Sequence, residues 1–418
     1  MRKRLLFFVV SGFMAVALLA LPGEALADHM DGHTLDTRMT DVENENGGSG
    51  CLAKQHRCRI KYLETLLSCL TKDTGTINGL AGPHLILTGC NLHVRNGHAS
   101  AVTATENGTG NLIIGYNEAP TSPPAYYRDG SHNLIVGQKH TYSNYGGFVA
   151  GDENTVSGAY ATVSGGRYNT ASGNYSSVSG GGDSTSTNGN TASASYSSVS
   201  GGAKNTASDT GASVSGGFDN AASADYASAS GGYNNTASAD YASAIGGKDN
   251  EALGKYSSAS GGVDNVAGDS ANANSATLGL YANVSGGGDN DASGVAASVI
   301  GGRFGTASGD YASISGGGGG TVGNANTASG DFSSISGGNV NTASSTHSSV
   351  CGGTTGTASA SASTVCGGNT NTASGTASAV SGGAGNTASG ISSSVSGGNG
   401  RSVSGTEDWR AGSLFEDN

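Results

Sequence analysis

Charge, aromatic rings and proline are all scarce in this chain of 418 residues: 12% of its residues are charged, 6% are aromatic, and there are 5 prolines and 1 tryptophan. So few large side chains exclude an ordinary globular core, and 73 glycines put the composition outside the usual globular mixture. Positive charge is the scarcer sign, with 19 basic residues against 31 acidic ones, which argues against a nucleic-acid partner. Long apolar runs are absent beyond the first thirty residues, so no later stretch is apolar enough for a membrane-spanning helix.

Those first residues, "MRKRLLFFVVSGFMAVALLALPGEALADHM", hold a basic start (Arg2, Lys3, Arg4), an apolar run and a small-residue site at Ala25-Leu26-Ala27. They predict a signal peptide over 1–27 and a secreted, extracellular or cell-surface protein, with the periplasm as the alternative address. The expected mature chain carries 16 basic and 30 acidic residues. Six cysteines, an even number in an exported chain, suggest disulfides: Cys51, Cys58, Cys69 and Cys90 lie early, Cys351 and Cys366 late. The spacing leaves the connectivity open.

What is present in quantity is a repeat. Gly-Gly pairs begin at 165, 180, 201, 216, 231, 246, 261, 286, 301, 316, 337, 352, 367, 382 and 397, and eleven of the fourteen steps are 15 residues. The three longer steps return to phase, so they read as loops at one corner of a stack, after Gly182, Gly262 and Gly317. A disordered glycine/serine linker has no reason to keep phase. In "YSSVSGG" the residue before Ser-Gly-Gly forms a column, Val163, Val178, Val199, Val214 and onward, that reads as an interior ladder. In "NTAS" the alanine points inward and the hydroxyls outward. Each turn is then two short strands and two bends. Asparagines 154, 169, 205, 220, 235, 250 and 265 are placed to form an amide ladder along one edge.

The units "NTASGNYSSVSGG" and "NTASADYASAIGG" resemble the head repeats of trimeric autotransporter adhesins, the YadA-like or haemagglutinin-type family. The resemblance covers roughly 137–400 and implies an all-β left-handed parallel β-roll, a homotrimer, and a non-enzymatic surface rod for a glycan, matrix or cell-surface partner. Such adhesins end in a membrane barrel of four alternating strands, whereas this chain ends in "RSVSGTEDWRAGSLFEDN". An outward column that is mostly serine but becomes Ile245, Ile300, Cys351 and Cys366 also suggests that another copy covers it.

The expected organisation is a leader (1–27), a flexible polar linker (28–50), a short helix over 51–75, an irregular β cap (76–150), β-roll repeats (151–400) and a tail (401–418). The helix rests on Ile60, Leu63, Leu67 and Leu70, spaced as a coiled-coil seam that could form a collar. "LILTGCNLHV", "NLIIGYNE" and "HNLIVGQKH" read as strands of the cap, which shields the open end of a solenoid.

Catalytic and metal-binding sets do not emerge. His84, Cys90, His93 and His98 match no zinc spacing. The "GGxDN" corners lack the nine-residue calcium period, and "SGGGGGTVG" lacks the lysine of a phosphate loop. No enzyme and no cofactor is expected. Two surface columns remain. Tyr160, Tyr175, Tyr196, Tyr226, Tyr241, Tyr256, Tyr281 and Tyr311, continued by Phe332 and His347, are either packing or a ligand-contacting ridge. Thr155, Thr170, Thr206, Thr236, Thr342, Thr372 and Thr387, each followed two residues on by serine, are similar to the ladders of ice-binding β-helices, although Glu251, Val266 and Asp291 interrupt them. The sequence thus offers three functions: an adhesin-like rod, an ice-binding β-helix, or a purely structural rod. Cys351 and Cys366, one repeat apart in one column, fall within disulfide reach.

Overall fold

The computed structural model describes residues 52–120, 127–269, 279–412 and 414–416. The leader, the polar linker and Cys51 lie outside the described residues. Two compact units are present, 1–93 and 94–418.

In the first unit a helix spans Leu52–Leu66, shorter than the seam predicts. Leu67 falls in the turn after it and Leu70 opens the strand Leu70–Asp73, which pairs antiparallel with His84–Leu87. A disulfide joins Cys69 to Cys90, with Cα atoms 6.0 Å apart. Strand pairing and the cross-link together outweigh two further helical turns, because a short isolated helix gains little per added turn. Leu63 and Leu67 are exposed.

The second unit is an all-β parallel solenoid of about eighteen coils. Each coil contributes one very short strand to each of two sheets. The valine sheet starts at Leu112–Ile114, Leu134–Gln138 and Phe148–Asp152 and runs coil by coil to Trp409–Ala411. There Leu414–Glu416 turns back antiparallel. The alanine sheet runs from Thr141–Tyr142 to Ser402–Val403. The stack therefore begins before residue 151 and continues past 400. Like commonly pairs with like: Val178 with Val199, Ala171 with Ala192.

Four side chains per coil point inward. In one coil they are Asn205, Ala207, Ala212 and Val214, and in another Asn169, Ala171, Ser176 and Val178, all buried. Small residues are required because two sheets joined by corners of a few residues leave no room for a leucine layer. Larger interior groups are few: Ile135 and Tyr142 in the first coils, and Ile314 and Ile335 in the valine column further along.

The corners explain the glycine and asparagine. Besides the glycine pair, two positions per coil take a positive φ, as at Tyr226 (55°) and Asn234 (53°). The left-handed conformation reverses the amide. Thr206 donates forward to Asn220 O, whereas Tyr226 donates backward to Thr210 O and Asn234 to Phe218 O. Each coil is thus tied in both directions. The second glycine of each pair is irreplaceable: at Gly232 φ is 84°, and a Cβ would overlap the Gly247 carbonyl oxygen and the Asn235 amide.

The amide ladder exists, but it lies inside the solenoid and not along an edge. Asn235 Nδ2 donates to Gly231 O (2.8 Å) and Gly247 O (3.2 Å), and its Oδ1 accepts the Asn250 backbone N–H (3.1 Å). Buried amides must be paired, and the corner carbonyls supply the partners. His140 takes the asparagine position in its coil: Nε2 meets Val136 O at 3.0 Å and Nδ1 accepts from Asn154 N at 3.3 Å. This pattern requires the neutral ring protonated at Nε2.

The longer repeats do not share one corner. The extra residues in the first and third long steps fall between Gly182 and Asn190 and between Gly318 and Asn326, at the glycine corner. In the second, Gly262 to Asn265 runs regularly, with Val263 bridging Gly288, and Tyr256 stacks on Tyr281. The excess therefore lies between Gly268 and Gly279, at the opposite corner.

Replacing Asn235 by Ala orphans the Asn250 N–H and the Gly231 carbonyl. The expected loss is about 2–4 kcal/mol, read by urea unfolding, against a change within about 0.5 kcal/mol for the outward Ser238→Ala. A second expectation concerns acid. Burial holds the His140 imidazole below its ordinary value of 6.5, against hydrogen bonds and the Asp152 charge that raise it. Below pH 6.5 the unfolded chain binds a proton that the folded chain resists, so stability is full above that pH and falls as pH drops toward the folded-state value. His140→Asn should flatten this decline in melting temperature between pH 8 and pH 5.

Candidate functional site: outward hydroxyl and tyrosine columns

The alanine sheet presents a regular outer face because its strands are parallel, in register and short. Residues two apart along a strand share that face about 6.6 Å apart, and successive coils repeat it about every 4.8 Å. Five threonines stack from Thr141 through Thr155, Thr170 and Thr191 to Thr206. Six more run unbroken through Thr306, Thr327, Thr342, Thr357, Thr372 and Thr387. Between them Ala221, Glu251, Val266 and Asp291 break the column, leaving Thr236 alone. Burial pushes the Asp291 carboxyl above the usual range, partly opposed by a hydrogen bond from Ser293 and reinforced by the Asp269 charge.

Sequence reasoning found seven of these threonines and missed Thr141, Thr191, Thr306, Thr327 and Thr357. The signal was available. The column lies one residue after each corner asparagine or its replacement, and counting onward across the longer steps recovers Thr191 and Thr327.

The two sheets differ in how their hydroxyls are used. On the valine sheet Ser334 and Ser349 bond each other at 3.0 Å, as do Ser258 and Ser260 at 3.1 Å. Among the described residues, the side chains of the six threonines from Thr306 to Thr387 make no hydrogen bond to protein, and each is half-buried at its base by its neighbours. A β-branched side chain has few rotamers, so methyl and hydroxyl are held in place before anything binds.

The tyrosine column stands at a corner. Its residues have φ of 55–60°, which the sequence did not disclose except through the glycines at Gly146 and Gly211 in the same column. Tyr226, Tyr241, Tyr256 and Tyr281 stack with centroids 5.3, 5.0 and 5.2 Å apart. Tyr160, Tyr175 and Tyr196 form a second stack, and Tyr311, Phe332 and His347 a third. Gly211 and Ala296 separate the stacks. The rings remain half exposed, Tyr196 most of all at 63%. Within each stack the faces meet one another, and at the breaks a ring such as Tyr196 has no ring on its next face.

Cys351 and Cys366 occupy neighbouring rungs as exposed thiols with Sγ atoms 3.3 Å apart. The outward isoleucines Ile245 and Ile300 are exposed. Cys90 is in the disulfide, His84 Nε2 meets Leu80 O and His98 Nδ1 meets Ser100 Oγ. Among the described residues no group of three or more His, Cys, Asp and Glu is arranged to hold a metal, and no helix is long and apolar enough to cross a membrane.

A family model described as the grass antifreeze beta roll matches residues 87–186. Over that span, which holds Thr155, Thr170, Tyr160 and Tyr175, the chain is similar to an ice-binding family. No curated protein matches the chain. The finer assignment to adhesin head repeats finds no match of its own.

The ring column should act mainly as packing. Tyr241→Ala removes two stacks, each worth about 0.5–1.5 kcal/mol, and keeps the strained backbone. Tyr241→Gly removes the same stacks and relieves roughly 1 kcal/mol of that strain. Melting should therefore rank wild type above Y241G and Y241G above Y241A.

Proposed function

We propose that the chain is an exported, non-enzymatic ice-binding rod whose threonine sheet is the contact surface. The observation that carries this reading is the unbroken run from Thr306 to Thr387, in register, with hydroxyls not engaged by protein. Ice is a periodic surface, so a flat periodic array can make many equal contacts at once. Each contact is weak, and simultaneous engagement makes their sum strong. A rigid array also loses little conformational freedom on binding. Similarity to the antifreeze β-roll supports the same reading.

Half-exposed ring stacks and the exposed Ile245 and Ile300 favour a second reading, an adhesin-like surface rod, with a homotrimer covering the isoleucines. Its ligand would be a glycan, a matrix protein or a cell surface.

Thermal hysteresis and recrystallisation assays on the chain without its leader separate the two. Under the ice-binding reading wild type is active, and Thr342→Lys with Thr357→Lys removes most of the activity while stability stays within about 1 kcal/mol, two surface changes of about 0.5 each. An inactive wild type that sediments as a trimer and binds glycans would move the assignment to the adhesin-like rod.

A further inference from the structure

Cys351 and Cys366 differ from every other pair of outward residues on the valine sheet. The column they occupy is otherwise mostly serine, with Ser336 and Ser381 on either side, so the fold itself has no need of sulfur there. Both thiols are exposed, and Val350 and Val365 beneath them are fully buried and paired, which fixes the two Cα atoms at ladder spacing. Each residue is also tied by its amide to the next coil, Cys351 N to Val365 O at 2.9 Å and Cys366 N to Val380 O at 2.8 Å. The sulfurs stand 3.3 Å apart and share a hydrogen bond, donated by Cys351.

The ladder disfavours a disulfide. Side chains on the same face of adjacent parallel strands leave the backbone parallel, so their Cβ atoms keep roughly the strand spacing of about 4.8 Å. A disulfide requires Cβ atoms about 3.5–4.5 Å apart and a dihedral near a right angle. Closing the bond therefore means drawing together two coils that the amides on both sides hold apart. Two thiolates bridged by one ion face no such conflict. Metal–thiolate bonds of about 2.3 Å placed end to end span about 4.6 Å, so the sulfurs would open from 3.3 Å by side-chain rotation toward the coil spacing, and no coil has to move.

We propose that Cys351 and Cys366 form a two-coordinate site for a soft monovalent cation, copper(I) or silver(I), on the outer face of the valine sheet. Ligand number and type select the ion. Thiolates prefer soft metals over calcium or magnesium. Zinc in a structural site takes four protein ligands, and the described residues offer no third His, Cys, Asp or Glu to this pair. Binding exchanges protons for metal: two thiols and one M⁺ give a thiolate–metal–thiolate bridge and release two protons, with no change of oxidation state. Because protons compete with the metal for the same two sulfurs, uptake should weaken as pH falls.

The test uses reduced full-length chain without its leader, titrated anaerobically with copper(I) held in its bathocuproine disulfonate complex. Cys51, Cys58 and, in the reduced chain, Cys69 and Cys90 contribute background, so the comparison is with Cys351→Ser/Cys366→Ser, which restores the residue usual in the column. Wild type should withdraw one more copper(I) per chain than the double variant, and Cys351→Ser alone should lose that equivalent. Zinc(II) presented to both should show no difference. Equal copper uptake by wild type and double variant overturns the proposal. So does a Cys351–Cys366 disulfide found by mass mapping of protein purified from the exported fraction without reductant, since a pair closed in its own compartment offers no thiolates.

Discussion

Every interior asparagine amide has to be satisfied where water does not reach, and the way this is done fixes the period of the whole solenoid. Asn220 reaches back four residues to Gly216 O and across to Gly232 O on the following coil, while its carbonyl oxygen accepts the Asn235 amide. These bonds close only when the next coil returns to the same place after one circuit. A buried amide left unmatched costs more than a matched one contributes, so the ladder acts mainly as a penalty on any other register. Two-residue strands cannot specify register by themselves, and the valine and alanine columns would tolerate a slip by one whole coil. The amides, joined to glycines at positive φ, tie each corner to a particular partner corner.

From that constraint the surface follows. Because the corners are fixed, residues can add to a coil without disturbing the sheets: Ala171 still meets Ala192 across one insertion and Ala307 meets Ala328 across another. Because the sheets stay in phase, any outward residue type is multiplied at strand spacing. Threonines become a hydroxyl array, tyrosines become stacks, and two cysteines become a dithiol. The same repetition multiplies faults, which is why Glu251 and Asp291 divide the threonine face into two arrays rather than merely roughening it.

Much of this was legible in the sequence because solenoid periodicity is written one residue per column. The valine column, the inward alanine and the outward hydroxyls needed only the period of two within a strand and fifteen between coils. The helix was less legible: Leu67 and Leu70 continue a helical spacing, but Cys69 is held by Cys90 and Leu70 pairs with Leu87, and neither long-range partner is visible in a local pattern. The corner of the second insertion was misplaced because its length was counted from glycine pair to glycine pair, a measure that says how many residues are added and not where. His140 as a member of the asparagine ladder was hidden for a different reason. Its ring imitates an amide only through geometry, one nitrogen donating to a residue four back and the other accepting from the next coil.

The ladder also shows how little of a repeat is strictly required. Gly305 and Gly356 stand where asparagine is expected, yet their amides still donate to Asn290 (2.9 Å) and Asn341 (2.8 Å). What each coil must supply at that position is the backbone N–H; the side-chain amide strengthens the next corner. A solenoid whose coils contact only their neighbours can absorb such a loss locally, since its stability is close to a sum of coil and interface terms. Both glycines lie beside the six-threonine run, at the coils of Thr306 and Thr357. The outward array therefore does not depend on an unbroken interior ladder. It depends on the backbone bonds between coils, which continue through both positions, with Thr306 donating to Asn326 and Thr357 to Asn371. Interior and surface are coupled through the register of the main chain and not through side-chain identity, which leaves the outward columns free to change residue by residue while the rod keeps its phase.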